Sequence, residues 1–202
     1  MKKLLVLACL AASVSMTSGT AMADSIKGRL GLTGKIGMLV PADSDYHDSR
    51  IKPDVGFVGG GGLLYGIDDH FAAEMDVTRT EFGSDFPRSG SAGDFGITDI
   101  AIGMQYRFEV AHKKLVPYVG AGLDILLSDY DHPSGSRHDV DTTVGIHGRG
   151  GVDYFIHKQV AVMAELNLLS ALDTDIKNST GAQGNFNPSS VSSIVGFRLF
   201  FN

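Results

Sequence analysis

Beyond residue 23 the hydrophobic pattern has a period of two, which puts alternate side chains on opposite faces of a strand. Eight such segments follow one another. In the first, Ile26–Val40, Leu30, Leu32, Ile36, Met38 and Val40 share one parity and Lys27, Arg29, Thr33 and Lys35 the other. Val55–Gly66 is glycine-rich, with Phe57, Leu63 and Tyr65 as its apolar set. Phe71–Phe82 sets Phe71, Ala73, Met75 and Val77 against Glu74, Asp76, Thr78 and Thr80. Phe95–Phe108 sets Ile100, Ile102, Met104, Tyr106 and Phe108 against Asp99, Gly103, Gln105 and Arg107. Leu115–Leu127 sets Val119, Ala121, Leu123 and Ile125 against Tyr118, Gly120, Gly122 and Asp124. Thr142–Ile156 sets Val144, Ile146, Val152, Tyr154 and Ile156 against His147, Arg149 and Asp153. Gln159–Leu169 sets Val160, Val162, Ala164, Leu166 and Leu168 against Met163, Glu165 and Asn167. Val191–Phe201 sets Val195, Phe197, Leu199 and Phe201 against Ser192, Gly196 and Arg198.

The connections alternate as regularly. Polar stretches at Pro41–Asp54, Gly83–Asp94, Ser128–Asp141 and Ser170–Ser190 take turns with short links at Ile67–His70, Glu109–Lys114 and His157–Lys158. Past residue 23 no apolar run is long enough for a spanning helix, so entry into a bilayer must be by strands. Such strands must close into a barrel, because lipid satisfies no backbone hydrogen bond. The pattern therefore predicts an all-β fold: an eight-stranded antiparallel up-and-down transmembrane β-barrel. Its termini fall on the short-turn side, which is periplasmic in outer-membrane barrels, and its long loops face outward.

Alternation alone does not say which face meets lipid, since a soluble periplasmic lipid-binding barrel inverts the same pattern. Three features place the apolar face outside. The polar face carries Gly31, Gly103, Gly120, Gly122, Gly145, Gly151 and Gly196, and small residues suit the narrow interior of eight strands. It also carries both signs of charge, as a lumen of paired ions requires. Aromatics collect at the short-turn ends, at Tyr65, Phe71, Tyr106, Phe108, Tyr154 and Phe201, where an interfacial girdle belongs. At the opposite end only Phe82, Phe95 and Tyr130 are candidates.

The N-terminus changes the picture of the mature chain. Met1-Lys2-Lys3 is basic, Leu4–Ala12 is apolar and Ala21-Met22-Ala23 is a small-x-small cleavage site, the signature of a secretory signal peptide over residues 1–23. Removing 23 of the 202 residues leaves one barrel domain, 24–202, of 179 residues. It keeps 15 of the 17 basic side chains and all 23 acidic ones, a net charge of −8, which argues against a nucleic-acid partner. The single cysteine, Cys9, leaves with the signal, which excludes disulfides and thiolate metal sites.

The candidate chemistry lies on the inward parity: Lys27, Arg29, Lys35, Glu74, Asp76, Asp99, Arg107, Asp124, Arg149, Asp153, Glu165 and Arg198. Six basic and six acidic groups in a narrow lumen should pair, because an unpaired buried charge costs several kcal/mol. Such a network reads first as a rigid filling, next as a narrow polar path. His147 is a lone inward histidine with no serine at nucleophile–base spacing, so no catalytic set is assigned. An alternative is a barrel enzyme acting on outer-leaflet lipid, which would need such a set near one interface. Loop clusters at Asp43, Asp45, His47 and Asp48, and at Asp129, Asp131, His132, His138, Asp139 and Asp141, read as solvated loops before cation sites, and no metal is assigned.

Three stretches carry a family likeness: VPYVGAGLDILLSDYD from Leu115 onward, GRGGVDYFIHKQVAVMAELNLL, and the closing SSIVGFRLFF. Over about Leu115–Phe201 the chain resembles the small outer-membrane β-barrel superfamily, and within it the OmpW-like proteins. The resemblance implies an eight-stranded outer-membrane barrel without a cofactor, surrounded by outer-membrane lipid and lipopolysaccharide. It also implies delivery by the barrel-assembly machinery, which would read the last strand through Phe197, Leu199 and Phe201. For OmpW-like members it implies passage of small hydrophobic compounds, or roles in stress tolerance and in phage or toxin reception. The charged lumen points instead to a plugged or very narrow interior, with the loops as the seat of a structural or surface-interaction role.

Overall fold

The structure, a computed structural model, describes residues 25–41, 44–46, 49–51, 55–86, 90–131, 137–139, 142–172, 174–178, 181–186 and 188–201. Eight strands form the wall: β1 Leu30–Pro41, β2 Gly56–Gly66, β3 Phe71–Phe86, β4 Gly90–Arg107, β5 Leu115–Asp131, β6 Thr143–His157, β7 Val160–Ala171 and β8 Ser190–Phe201. Each pairs antiparallel with its sequence neighbour, and β1 pairs with β8 from Leu30↔Phe201 to Pro41↔Ser190, which closes the barrel. Closure leaves no free edge along the span where all eight strands pair, and no helix among the described residues is long and apolar enough to cross a membrane.

The predicted parity holds around the ring. Ile36, Met38, Phe57, Ile102, Leu123, Ile146, Leu166 and Phe197 all stand on an exposed outer face, a band of apolar side chains that only lipid would cover. Val160 departs from it. It is buried beside the β6–β7 turn, where the register shifts between Val160 and Ala161. The girdle at the short-turn end is a packed aromatic surface. Tyr106 meets Phe71 edge-on at 5.1 Å and Phe108 at 4.9 Å, and stacks on His70 at 5.7 Å. The side chains of Phe82, Phe95 and Tyr130, expected at the other end, lie outside the described residues.

Strand lengths differ from the expectation at the long-connection end. A tilted spanning strand needs about 10 residues, whereas β3, β4 and β5 have 16, 18 and 17. The surplus carries the β3–β4 ladder on to Phe86↔Gly90, through residues expected to be loop. Arg137–Asp139 adds to the far end of β5. Two further ribbons, Ser44–Tyr46 with Ser49–Ile51 and Thr174–Asn178 with Gly181–Phe186, occupy the first and last long connections. Against the 12 residues of β1, β7 and β8, the wall is therefore longer on the β3–β5 side by four to six residues per strand, roughly 13–20 Å along the strands at about 3.3 Å per residue.

The short-turn end is built differently from the expectation too. Strand β1 begins at Leu30, not Ile26. Arg29 N donates to Ile26 O at 2.9 Å, and Gly28 sits at φ 71°, a backbone region that glycine enters without strain. This turn folds Ile26 into the barrel mouth. There it packs with Leu64, Ala72, Phe155, Ala161 and Phe200, all buried, and with Val116. The result is an apolar floor across the lumen.

Candidate functional site

Above the floor the inward parity delivers a continuous ion-pair network. Glycine makes the room. A Cβ on Gly122 would lie 2.6 Å from His147 Cε1, and one on Gly151 would lie 2.5 Å from Tyr118 Oη. A Cβ on Gly62 would overlap Asp76 Oδ1. Large polar groups thus occupy space that the neighbouring strands leave empty, in an interior only wide enough to be filled by side chains.

Two acceptor hubs organise the charges. Asp76 Oδ2 meets Lys35 Nζ at 2.7 Å and Arg149 Nη1 at 2.6 Å. The same Arg149 nitrogen lies 3.0 Å from Glu74 Oε1, and Glu74 Oε2 accepts from Gln105 Nε2. Asp153 Oδ2 is the second hub, accepting from Arg107 Nη2 at 2.6 Å and Arg198 Nη1 at 2.7 Å. Arg107 donates onward to Gln105 Oε1 at 3.3 Å and so joins the hubs, while Arg198 Nε donates to Thr33 Oγ1 at 3.2 Å. Tyr118 donates to Glu165 Oε2 at 2.8 Å, and its ring lies under both Arg107 and Arg198, at 5.7 and 5.4 Å. Glu165 Oε1 stands 3.9 Å from Lys35 Nζ and 4.0 Å from Arg149 Nη1. These groups are almost wholly shielded from solvent, the setting in which a hydrogen-bonded pair is worth most and a broken one costs most.

His147 belongs to the network, and its hydrogen bonds assign its tautomer. Arg149 Nη2 lies 2.8 Å from His147 Nε2 and can only donate, so Nε2 accepts. Nδ1 then carries the proton and donates a hydrogen bond to Asp124, whose two oxygens are both 2.9 Å away. Both ring nitrogens are engaged, with no nucleophile on either.

Ten of the predicted site residues gather as expected in the lumen interior, with Asp99 half-buried above the others. Arg29 is inward but sits at the floor, 5.3 Å over the Phe200 ring, and donates to Lys158 O at 3.1 Å. Lys27 is a correction: it is exposed on the segment before β1 and takes no part in the network. The turn at Gly28 breaks the period of two that had placed Lys27 inward. Sequence reasoning missed Gln105, Thr33 and Tyr118 as linking groups, and the floor itself. The available signal was Leu64, Phe155 and Phe200, large apolar residues on the inward parity near the short turns. Of the loop clusters, Asp43, His47, Asp48, His132 and Asp141 lie outside the described residues, as do the side chains of Asp45, Asp129, Asp131, His138 and Asp139. No group of three metal-type ligands occurs among the described residues.

Above the network, at the long-connection end, lies a blind vestibule of about 40 Å³. Lys35, Asp76 and Arg149 form its bottom, and Leu39, Ile97, Leu126 and Leu169 are among its walls. Asp99 and Asn167 also line it, each with a buried Oδ1 that has no hydrogen-bond partner.

A closed eight-stranded wall with a lipid-facing apolar exterior and an ion-paired interior defines a small transmembrane β-barrel of the outer membrane. The chain matches the family model described as "Outer membrane protein beta-barrel domain" over residues 7–198, and it belongs to that family. No curated protein matches it by sequence. Among solved structures it is similar to the outer membrane protein OprG from Pseudomonas aeruginosa, with TM-score 0.68 and 16% identity over 87% of this chain and 97% of that one. It is similar also to Neisserial surface protein A, with TM-score 0.61 and 19% identity over 87% and 98% of the two chains. The E. coli outer membrane protein W aligns with TM-score 0.50 and 16% identity over 87% and 98%, in keeping with the resemblance carried by Leu115–Phe201. At these identities the likeness is one of fold.

Proposed function

We propose that this barrel is a closed membrane anchor that acts through its long-connection face, as a structural or surface-interaction protein and not as an open pore or an enzyme. The observation that carries the reading is the lumen, sealed by the apolar floor around Phe155 and Phe200 and filled above it by the Asp76 and Asp153 hubs. A small hydrophobic solute, the cargo that the family resemblance implies, would have to cross those buried charges. Unpairing any of them costs several kcal/mol. The unequal wall supports the same reading, since β3–β5 lift a β-sheet surface clear of the bilayer. Both nitrogens of His147 are occupied, which speaks against a general base. Outer-membrane lipid and lipopolysaccharide would cover the apolar band, with Phe197, Leu199 and Phe201 of β8 offered to the assembly machinery.

Proteoliposome swelling tests this reading. Vesicles carrying the folded protein should swell no faster in arabinose or glycine than protein-free vesicles, and rapid swelling would overturn it. One observation favours narrow transport as a second reading: Ile26 reaches the floor from a segment that precedes the wall, so the plug is in part detachable. Swelling by an Ile26→Gly variant alone would favour that reading.

A further inference from the structure

We propose that the vestibule is a binding site for a small organic ammonium ion, held between Asp99 and Asn167. The two residues stand on β4 and β7, three strands apart in a ring of eight, so they approach the cavity from nearly opposite walls. Each lines the cavity and has a buried Oδ1 with no hydrogen-bond partner. A carboxylate oxygen and an amide oxygen are both acceptors, so the missing partner is a donor. Unmade bonds of this kind are costly in a shielded site, and a ligand that makes them recovers that cost.

The charge balance gives the sign of the partner. Among the described lumen side chains above the floor, Lys35, Arg107, Arg149 and Arg198 face six carboxylates: Glu74, Asp76, Asp99, Asp124, Asp153 and Glu165. His147 adds no charge in the tautomer its hydrogen bonds require. Arg29 lies at the floor, the far end of the lumen. An anion would have to compete with Asp76 for Lys35 and Arg149, which already meet it at 2.7 and 2.6 Å.

The walls give the chemical class. A bare metal ion of the Ca²⁺ type takes six to eight oxygens, with several carboxylates among them, whereas only two side-chain oxygens of the residues lining this cavity, Asp99 Oδ1 and Asn167 Oδ1, are buried without a hydrogen-bond partner. Carbon suits the sides: Leu39, Ile97, Leu126 and Leu169 would enclose a short alkyl group. An ammonium head has three donors, enough for Asp99, Asn167 and one of the hydroxyls of Thr78 or Ser192 that line the same space. A volume of about 40 Å³ holds about three waters, which limits the guest to a few heavy atoms.

The test is an NMR titration of the refolded full chain in detergent micelles, with ethylammonium chloride as probe and sodium acetate, of similar size and opposite charge, as control. Ethylammonium should shift the amide resonances of Ala101, Asn167 and Ser192 saturably, and acetate should not. Asp99→Asn, a near-isosteric change, should weaken the ethylammonium affinity roughly tenfold or more, the worth of a charge-assisted hydrogen bond. Asn167→Ala removes no charge and should weaken it as well, which keeps the test decisive if Asp99→Asn fails to refold. The proposal is overturned if ethylammonium gives no saturable shift, if acetate shifts the same amides, or if either folded variant binds ethylammonium as the parent does. None of these results bears on whether the barrel conducts, so this site and the closed-lumen reading fail separately.

Discussion

Replacing Asp153 by Asn should be among the most destabilising single changes in the lumen. One oxygen, Asp153 Oδ2, accepts a hydrogen bond from Arg107 at 2.6 Å and another from Arg198 at 2.7 Å, and Asp153 and both arginines are almost fully buried. Asn keeps the shape and removes the charge. Two guanidiniums then share one neutral hydrogen-bonding site over the Tyr118 ring, and the carboxylate that touched both is gone. Breaking a buried pair by removing one partner costs about 3–5 kcal/mol, against about 0–1 kcal/mol for a surface pair. Urea titration of the barrel in lipid vesicles, followed by heat-modifiable gel mobility, measures the difference. Adding Arg107→Gln to Asp153→Asn should recover part of the loss, since one stranded charge goes with it, and a double-mutant cycle isolates the coupling. A loss below about 1 kcal/mol for Asp153→Asn would refute the claim that the lumen network is shielded and mutually dependent.

Three further outcomes follow from the same geometry. Gly122→Ala would set a Cβ 2.6 Å from His147 Cε1 and 2.7 Å from Gly103 Cα, so urea titration should show a loss of about 1–3 kcal/mol. Lys35→Met should destabilise strongly, because it strips Asp76 of one of its two cations, whereas Lys27→Met, on an exposed side chain, should stay within about 0.5 kcal/mol in the same assay. Asp68 Oδ1 accepts the backbone N–H groups of His70 and Phe71 at 2.7 Å each, which holds its carboxyl below the usual value of 3.8. A depressed folded-state value stabilises above the unfolded one and is lost as pH falls through the folded one. The stability gap between the parent and Asp68→Ala should therefore be full at neutral pH and close as pH drops below about 4, and a gap that widened with acid would contradict it.

The barrel was legible because lipid and lumen impose one rule on every wall residue. A period of two with an apolar outward face fixes strand number, closure and the parity of residues as distant as Lys35 and Glu165. The pairing was not legible, because it depends on register and shear. Asp153 finds Arg107 from β4 and Arg198 from β8 only once eight ladders are aligned. Lys27 was misplaced because a single positive-φ glycine, Gly28, reverses the chain and ends the alternation. The floor was overlooked because Phe155 and Phe200, both apolar, read as ordinary strand residues when polarity alone marks the inside. The projecting ends of β3–β5 were hidden for a related reason. Above the bilayer neither face needs to be apolar, so a hydrogen-bonded ribbon there leaves no hydrophobic signature.

The central claim is that the lumen is closed, and planar-bilayer conductance tests it most directly. Reconstituted protein with verified heat-modifiable mobility should give no discrete current steps in molar KCl over tens of minutes at moderate voltage. Reproducible, long-lived steps from the parent protein would mean that ions pass both the Phe155–Phe200 floor and the Asp76 and Asp153 hubs, and the account would be wrong at its core.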